Sequence, residues 1–168
     1  TWEGTLAPGG GYLSASMIKT DGTLWAWGYG DKGELGQNNQ TTRSSPVQVP
    51  GTTWSAVVSS GFRWTAAVKT DGTLWTWGEN DSGYLGQNTA GNPGKRSSPV
   101  QLPGTTWPKT GDKKMSAEVN KGIAVKTDGT LWTWGNNSYG DLAVNSQVQY
   151  SSPVQIPGTT WSNVLSGG

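Results

Sequence analysis

The sequence predicts an all-β chain made of three tandem copies of one four-stranded unit, and three observations predict it. The segment KTDGTLW stands at 19–25, 69–75 and 126–132, PGTTW at 50–54, 103–107 and 157–161, and SSPVQ at 44–48, 97–101 and 151–155. Within each copy, short β-branched and aromatic runs are separated by Gly- and Pro-bearing turns. Helix signals are absent. The copies are read as 1–53, 54–106 and 107–160, with 161–168 opening a fourth, because WSNVLSGG at the end matches WSAVVSSG at 54–61. No linker or separate domain boundary interrupts them.

The second copy shows the elements in order. Trp54 to Ser59 and Trp64 to Lys69 are runs of strand length. Thr70-Asp71-Gly72 reverses the chain, with Asp accepting nearby backbone N–H bonds and Gly free to take positive φ. Thr73 to Trp77 alternates, placing Leu74 on one face and Trp75 and Trp77 on the other. A Gly-rich loop leads to a last strand around Pro99 to Leu102, where proline suits an edge that needs no ladder N–H. Four short antiparallel strands repeated at roughly 50 residues are the blades of a β-propeller.

Composition sets the energetic terms. There are 11 Trp, one Phe, 26 Gly, 9 Pro, no Cys and no His, with a formal net charge of +1. Trp25/Trp27, Trp75/Trp77 and Trp132/Trp134 hold the same two places in each copy, and Trp2, Trp54, Trp107 and Trp161 a third. A blade is covered on both faces, so the indoles are expected to pack between blades, each removing about 150–250 Å² from water. Without Cys or His the chain lacks disulfides, thiolate metal ligands and the usual neutral-pH general base. No catalytic, cofactor-binding or metal-ligating residues are identified. Asp21, Asp71 and Asp128 read as turn residues, and the loops at 28–36, 78–86 and 135–143 as solvated turns. Asn39, Asn80 and Asn136 each open an N-x-S/T sequon, which Asn- and Ser-rich loops produce by chance.

The DGTLWTWG segment at 71–78, the Tyr84-Leu85-Gly86 step, SSPVQ with its following Pro-Gly, and the stretch from Gly61 to Val68 resemble the regulator of chromosome condensation repeat. The resemblance covers essentially the whole chain. It implies three blades of a seven-bladed ring. It also raises nucleotide exchange on a small GTPase as an alternative activity, although the insertion used for that has no counterpart here. Three departures stand out. Ser14, Trp64 and Lys121 occupy the place where family repeats often carry His; Ala143 stands where the other copies have Gly36 and Gly86; and 108–122 diverges from the pattern of the second copy.

An open arc would expose an apolar sheet face, so the chain is expected to belong to a longer polypeptide or to an assembly that completes the ring. The expected function is a non-enzymatic scaffold whose variable loops contact a protein or a surface glycan. The composition suits an extracellular or virion-surface adhesion component. A lectin-like propeller is a further alternative. No basic block points to nucleic acid, no apolar run is long enough to insert in a membrane, and no cofactor is implied. The contact candidates are Tyr29, Lys32, Arg43, Tyr84, Arg96, Lys113, Lys114, Tyr139 and Tyr150, in loops 29–43, 79–96, 136–150 and 108–121.

Overall fold

A computed structural model describes residues 14–59, 63–91, 94–108 and 114–164. Among the described residues eleven strands form three antiparallel sheets: β1 (Ser14–Ile18), β2 (Leu24–Gly28) and β3 (Arg43–Gln48); β4 (Trp54–Ser59), β5 (Trp64–Lys69), β6 (Leu74–Gly78) and β7 (Arg96–Gln101); and β8 (Met115–Ala117), β9 (Lys121–Val125), β10 (Leu131–Gly135) and β11 (Tyr150–Ile156). Strands follow sequence order across each sheet, which is blade geometry. The first sheet has three strands among the described residues. The strand expected ahead of β1 falls in 1–13, outside them. In the divergent third unit the opening strand shrinks to three residues, against six for β4.

Pro46, Pro99 and Pro153 lie on β3, β7 and β11, the side strands of their sheets. The Asp-Gly turns also form as expected. Gly72 takes φ +81°, and its N–H reaches the Lys69 carbonyl at 2.9 Å. The Asp71 carboxylate accepts the Thr73 N–H at 3.0 Å and the Thr73 hydroxyl at 2.7 Å, and that hydroxyl accepts the Trp75 indole N–H at 2.9 Å. The same chain of bonds runs through Asp21-Thr23-Trp25 and Asp128-Thr130-Trp132.

Each gap between sheets holds its own core. Leu24, Ala26, Leu35, Val49, Trp54, Ala67 and Trp77 fill the first. Trp64, Ala66, Val68, Leu74, Tyr84, Leu85, Leu102, Trp107, Ala124 and Trp134 belong to the second. Alternation along β5 divides it between the two, with Ala67 facing one gap and Ala66 and Val68 the other. Trp54, Trp64, Trp77, Trp107 and Trp134 are at most 2% exposed. Full enclosure does not extend to every indole: Trp25, Trp75 and Trp132 are half-buried, each beneath a lysine ammonium, and Trp161 is 41% exposed.

Two contacts repeat at both seams. The Trp77 indole donates to the Glu34 carbonyl and Trp134 to that of Tyr84, both at 2.8 Å. The Asn38 N–H donates to the Ser97 carbonyl at 2.7 Å and the Asn88 N–H to that of Ser151 at 2.6 Å.

Candidate interaction surface

One end of the stacked sheets is built by the loops after β2, β6 and β10. These strands finish at Gly28, Gly78 and Gly135, all with φ near +100°. Glycine is required there, because a Cβ on Gly78 or Gly135 would stand 2.4 Å from the carbonyl oxygen of Arg63 or Asn120. The loops are not loosely solvated turns, as the sequence suggested. Asn80 and Asn137 are wholly buried inside them. Asn80 accepts the Leu85 N–H at 2.9 Å and donates to the Thr89 carbonyl at 2.7 Å; Asn137 accepts the Leu142 N–H at 2.9 Å and donates to the Ser146 carbonyl at 2.6 Å. Burial takes the Asn80 sequon out of reach. The signal was present in the sequence, as an Asn five residues before the loop leucine in two copies; the first copy has Gly30.

These loops carry most of the predicted contact residues to one end. Tyr29, 36% exposed, donates from its hydroxyl to the Asp31 carboxylate at 2.9 Å, which raises the phenol's pKa. Glu79 bridges Lys32 and Arg63, each at 3.6 Å, across the first seam. Beneath them Glu34 is buried with a raised pKa, driven by loss of solvent and opposed by the Lys32 N–H it accepts at 2.8 Å. In the third unit Lys121 pairs with Glu118 at 3.0 Å and with Asp141. Burial alone would weaken the Lys121 ammonium's hold on its proton, but these hydrogen bonds outweigh it and raise its pKa. Tyr139 stands 92% exposed. Arg43, Arg96 and Tyr150 open the side strands at the same end, opposite Gly28, Gly78 and Gly135, and are half-buried.

Two candidates fall elsewhere. Tyr84 is 3% exposed and packs 5.8 Å from Trp64, so it is a core ring and not a loop contact; Leu and Gly beside it in the sequence mark the buried turn. Lys114 precedes β8, and its carbonyl accepts the Val125 N–H at 2.7 Å, which places it at the opposite, Asp-Gly end. Lys113 lies outside the described residues. Ser14, Trp64 and Lys121 do hold equivalent register positions, opposite Gly28, Gly78 and Gly135. At that place the Trp64 indole donates to the Glu118 carbonyl at 2.9 Å, and Lys121 makes its two ion pairs. Among the described residues no cluster of three His, Cys, Asp or Glu could hold a metal ion.

Three repeated sheets, stacked through the same indole and asparagine contacts, agree with the family model of the regulator of chromosome condensation (RCC1) repeat, which matches residues 21–68, 71–108 and 128–166. The chain belongs to the RCC1 repeat family. A second RCC1 repeat model matches 56–83. The chain is 30% identical over 143 residues to the ultraviolet-B receptor UVR8 of Arabidopsis thaliana, covering 84% of this chain and 31% of that protein. Human WBSCR16 superposes with a TM-score of 0.71 at 22% identity, covering 88% of this chain and 36% of that one. Prp20p of Saccharomyces cerevisiae, described together with its binding to Gsp1p and histones, gives 0.71 at 18% identity, covering 89% and 37%. The same yeast protein bound to Kap60 gives 0.69. The chain thus spans about a third of the length of these relatives, and its fold is a partial β-propeller.

Proposed function

We propose that this RCC1-repeat arc is a non-enzymatic scaffold that binds another protein through its loop end. The observation carrying the reading is a contrast within the repeats. The indole and asparagine contacts recur at both seams, whereas positions at the loop end differ in every unit: Tyr29 and Lys32 in the first, Glu79 and Ser82 in the second, Asn136 and Tyr139 in the third. A framework repeated so closely under a surface varied so freely suits recognition. Binding of Gsp1p, histones and Kap60 by the yeast relative supports a protein as the class of partner. The low charge and the Thr-, Ser-, Asn- and Gly-rich composition support a cell- or virion-surface setting, which immunolocalisation checks. A glycan platform built on Tyr84 would require that ring to leave the core.

Photo-crosslinkable residues placed at Tyr29 and Tyr139 test the proposal against the same residue placed at Asp128, on the opposite end. Protein adducts at the first two and none at Asp128 are expected. Equal labelling of both ends would overturn it. Nucleotide release from a small GTPase should be unchanged by the chain; acceleration would favour an exchange factor instead.

A further inference from the structure

Between the second and third sheets the seam opens into a groove of about 540 Å³, a size that small-molecule sites commonly have. Its walls are largely apolar, made by Val100, Pro103 and Pro153 with the Trp107 and Trp132 rings. Val100 comes from β7 and Pro153 from β11, so the groove lies inside the second seam and not on an outer face of the stack.

Lys126 is the one charged side chain in the lining. Its ammonium lies 4.1 Å from the Trp132 ring centroid and 4.5 Å from that of Trp107. Attraction to the rings holds it in place but supplies no acceptor in line with its N–H bonds. Among the described residues no carboxylate pairs with it. Asp128, whose charge acts on it, spends its carboxylate on the Thr130 N–H at 3.0 Å and the Thr130 hydroxyl at 2.6 Å. Loss of solvent accordingly lowers the Lys126 pKa, with Asp128 opposing the shift. Lys121, by contrast, is answered by Glu118 and Asp141. A partly desolvated cation without an anion is a costly arrangement that a ligand's negative charge relieves.

The polar groups around it leave the groove clear. Gln87 is drawn inward, its Nε2 donating to the Thr76 carbonyl at 2.9 Å and to the Thr76 hydroxyl at 2.8 Å. In the first seam Ala26 holds the place of Thr76, and Gln37 instead reaches the β3 carbonyls of Val47 and Gln48 at 3.4 and 3.1 Å. Among the described residues no such bond crosses β7. Asn88 and Gln101 are exposed in the lining, and their side-chain amides keep N–H groups with no acceptor among the described residues.

These features select the ligand. One ammonium beside neutral amides suits a single negative charge, whereas a phosphate dianion would be left half-answered. The indoles offer little to a sugar ring, because Trp107 is 1% exposed and Lys126 already lies over Trp132. We propose that this groove binds a small organic acid, its carboxylate accepting from Lys126 and the Asn88 and Gln101 amides and its apolar body resting on Trp132, Val100 and the two prolines. The site uses neither Tyr29 nor Tyr139, so the inference stands whichever partner the loop end takes.

Phenylacetate and its neutral counterpart phenylacetamide test this, titrated into the full chain while NMR follows the Trp132 Nε1 proton, which is held by the Thr130 hydroxyl at 2.8 Å. Phenylacetate should shift that signal saturably and bind at least about tenfold more tightly than the amide. Lys126→Gln should abolish the preference and Lys126→Arg, which keeps the charge, should retain it, with circular dichroism confirming that both variants fold. The comparison of acid with amide is made on the unaltered chain and therefore decides the matter even where a variant does not fold. The proposal is overturned if acid and amide bind alike, if neither binds, or if K126Q keeps the preference. It is also overturned if a capped Phe-Glu-Phe peptide binds about tenfold more tightly than phenylacetate, which would assign the groove to a protein segment.

Discussion

Single buried side chains decide whether the loop end has a shape. Asn80 ties together three stretches of its loop, through Leu85, Thr89 and Gly94. Asn80→Ala strands those groups in a dry interior, and a loss of about 2–3 kcal/mol in urea unfolding is expected, with Asn137→Ala similar. Glu34 behaves in the opposite sense. Its carboxyl pKa is raised because burial penalises the charge, so the folded state holds its proton more tightly than the unfolded chain does. Stability therefore falls as pH rises from the ordinary glutamate range through the raised value. Glu34→Gln, which can still accept the Lys32 N–H, should raise the thermal midpoint at pH 7, with the gain vanishing in acid. An equal gain at every pH would contradict burial as the cause. Gly86→Ala combines a backbone at φ +71° with a clash against Leu102 and Trp134, and at least about 2 kcal/mol of destabilisation is expected by denaturant titration.

At the scale of elements, the turn–strand bracket of Asp71, Thr73 and Trp75 explains why KTDGTLW recurs. Lys69 completes it, its ammonium lying 4.3 Å from the Trp75 ring centroid and 4.9 Å from that of Trp54. The Asp21, Asp71 and Asp128 carboxyls sit below the ordinary aspartate range, led in each case by the threonine hydroxyl bond. A lowered acid stabilises the fold above its unfolded pKa, and that contribution disappears as pH falls through the folded value. Asp71→Ala should thus lower the thermal midpoint at pH 7 and have no effect at a pH where the carboxyl is protonated. These brackets and the strands β4 and β5 were legible in sequence because turn chemistry and β-branched runs are local signals. The short β8 was not: its extent depends on the partner strand β9, and the divergent segment before it breaks the repeat. Tyr84 was misplaced for a related reason. An aromatic in a glycine-rich loop looks exposed until the loop folds back and sets it against Trp64 on β5 of its own sheet.

For the molecule as a whole, the stack of blades could be read from periodicity, while the contacts that join its sheets could not. Gly36, Gly86 and Ala143 are aligned residues of a loop in sequence. That Gly36 and Gly86 each lie against an indole appears once Trp77 and Trp134 are seen to come from the adjacent sheet. The same holds for the loop end, where Lys32, Arg63 and Glu79 meet although they are far apart along the chain. Stacking through docked indoles is most directly measured by hydrogen exchange of the tryptophan Nε1 protons in NMR spectra. Slow exchange is expected for Trp77 and Trp134, whose N–H groups are bonded to backbone carbonyls of the preceding blade, and fast exchange for exposed Trp161. Exchange of Trp77 and Trp134 as rapid as that of Trp161 would contradict the stacked arc.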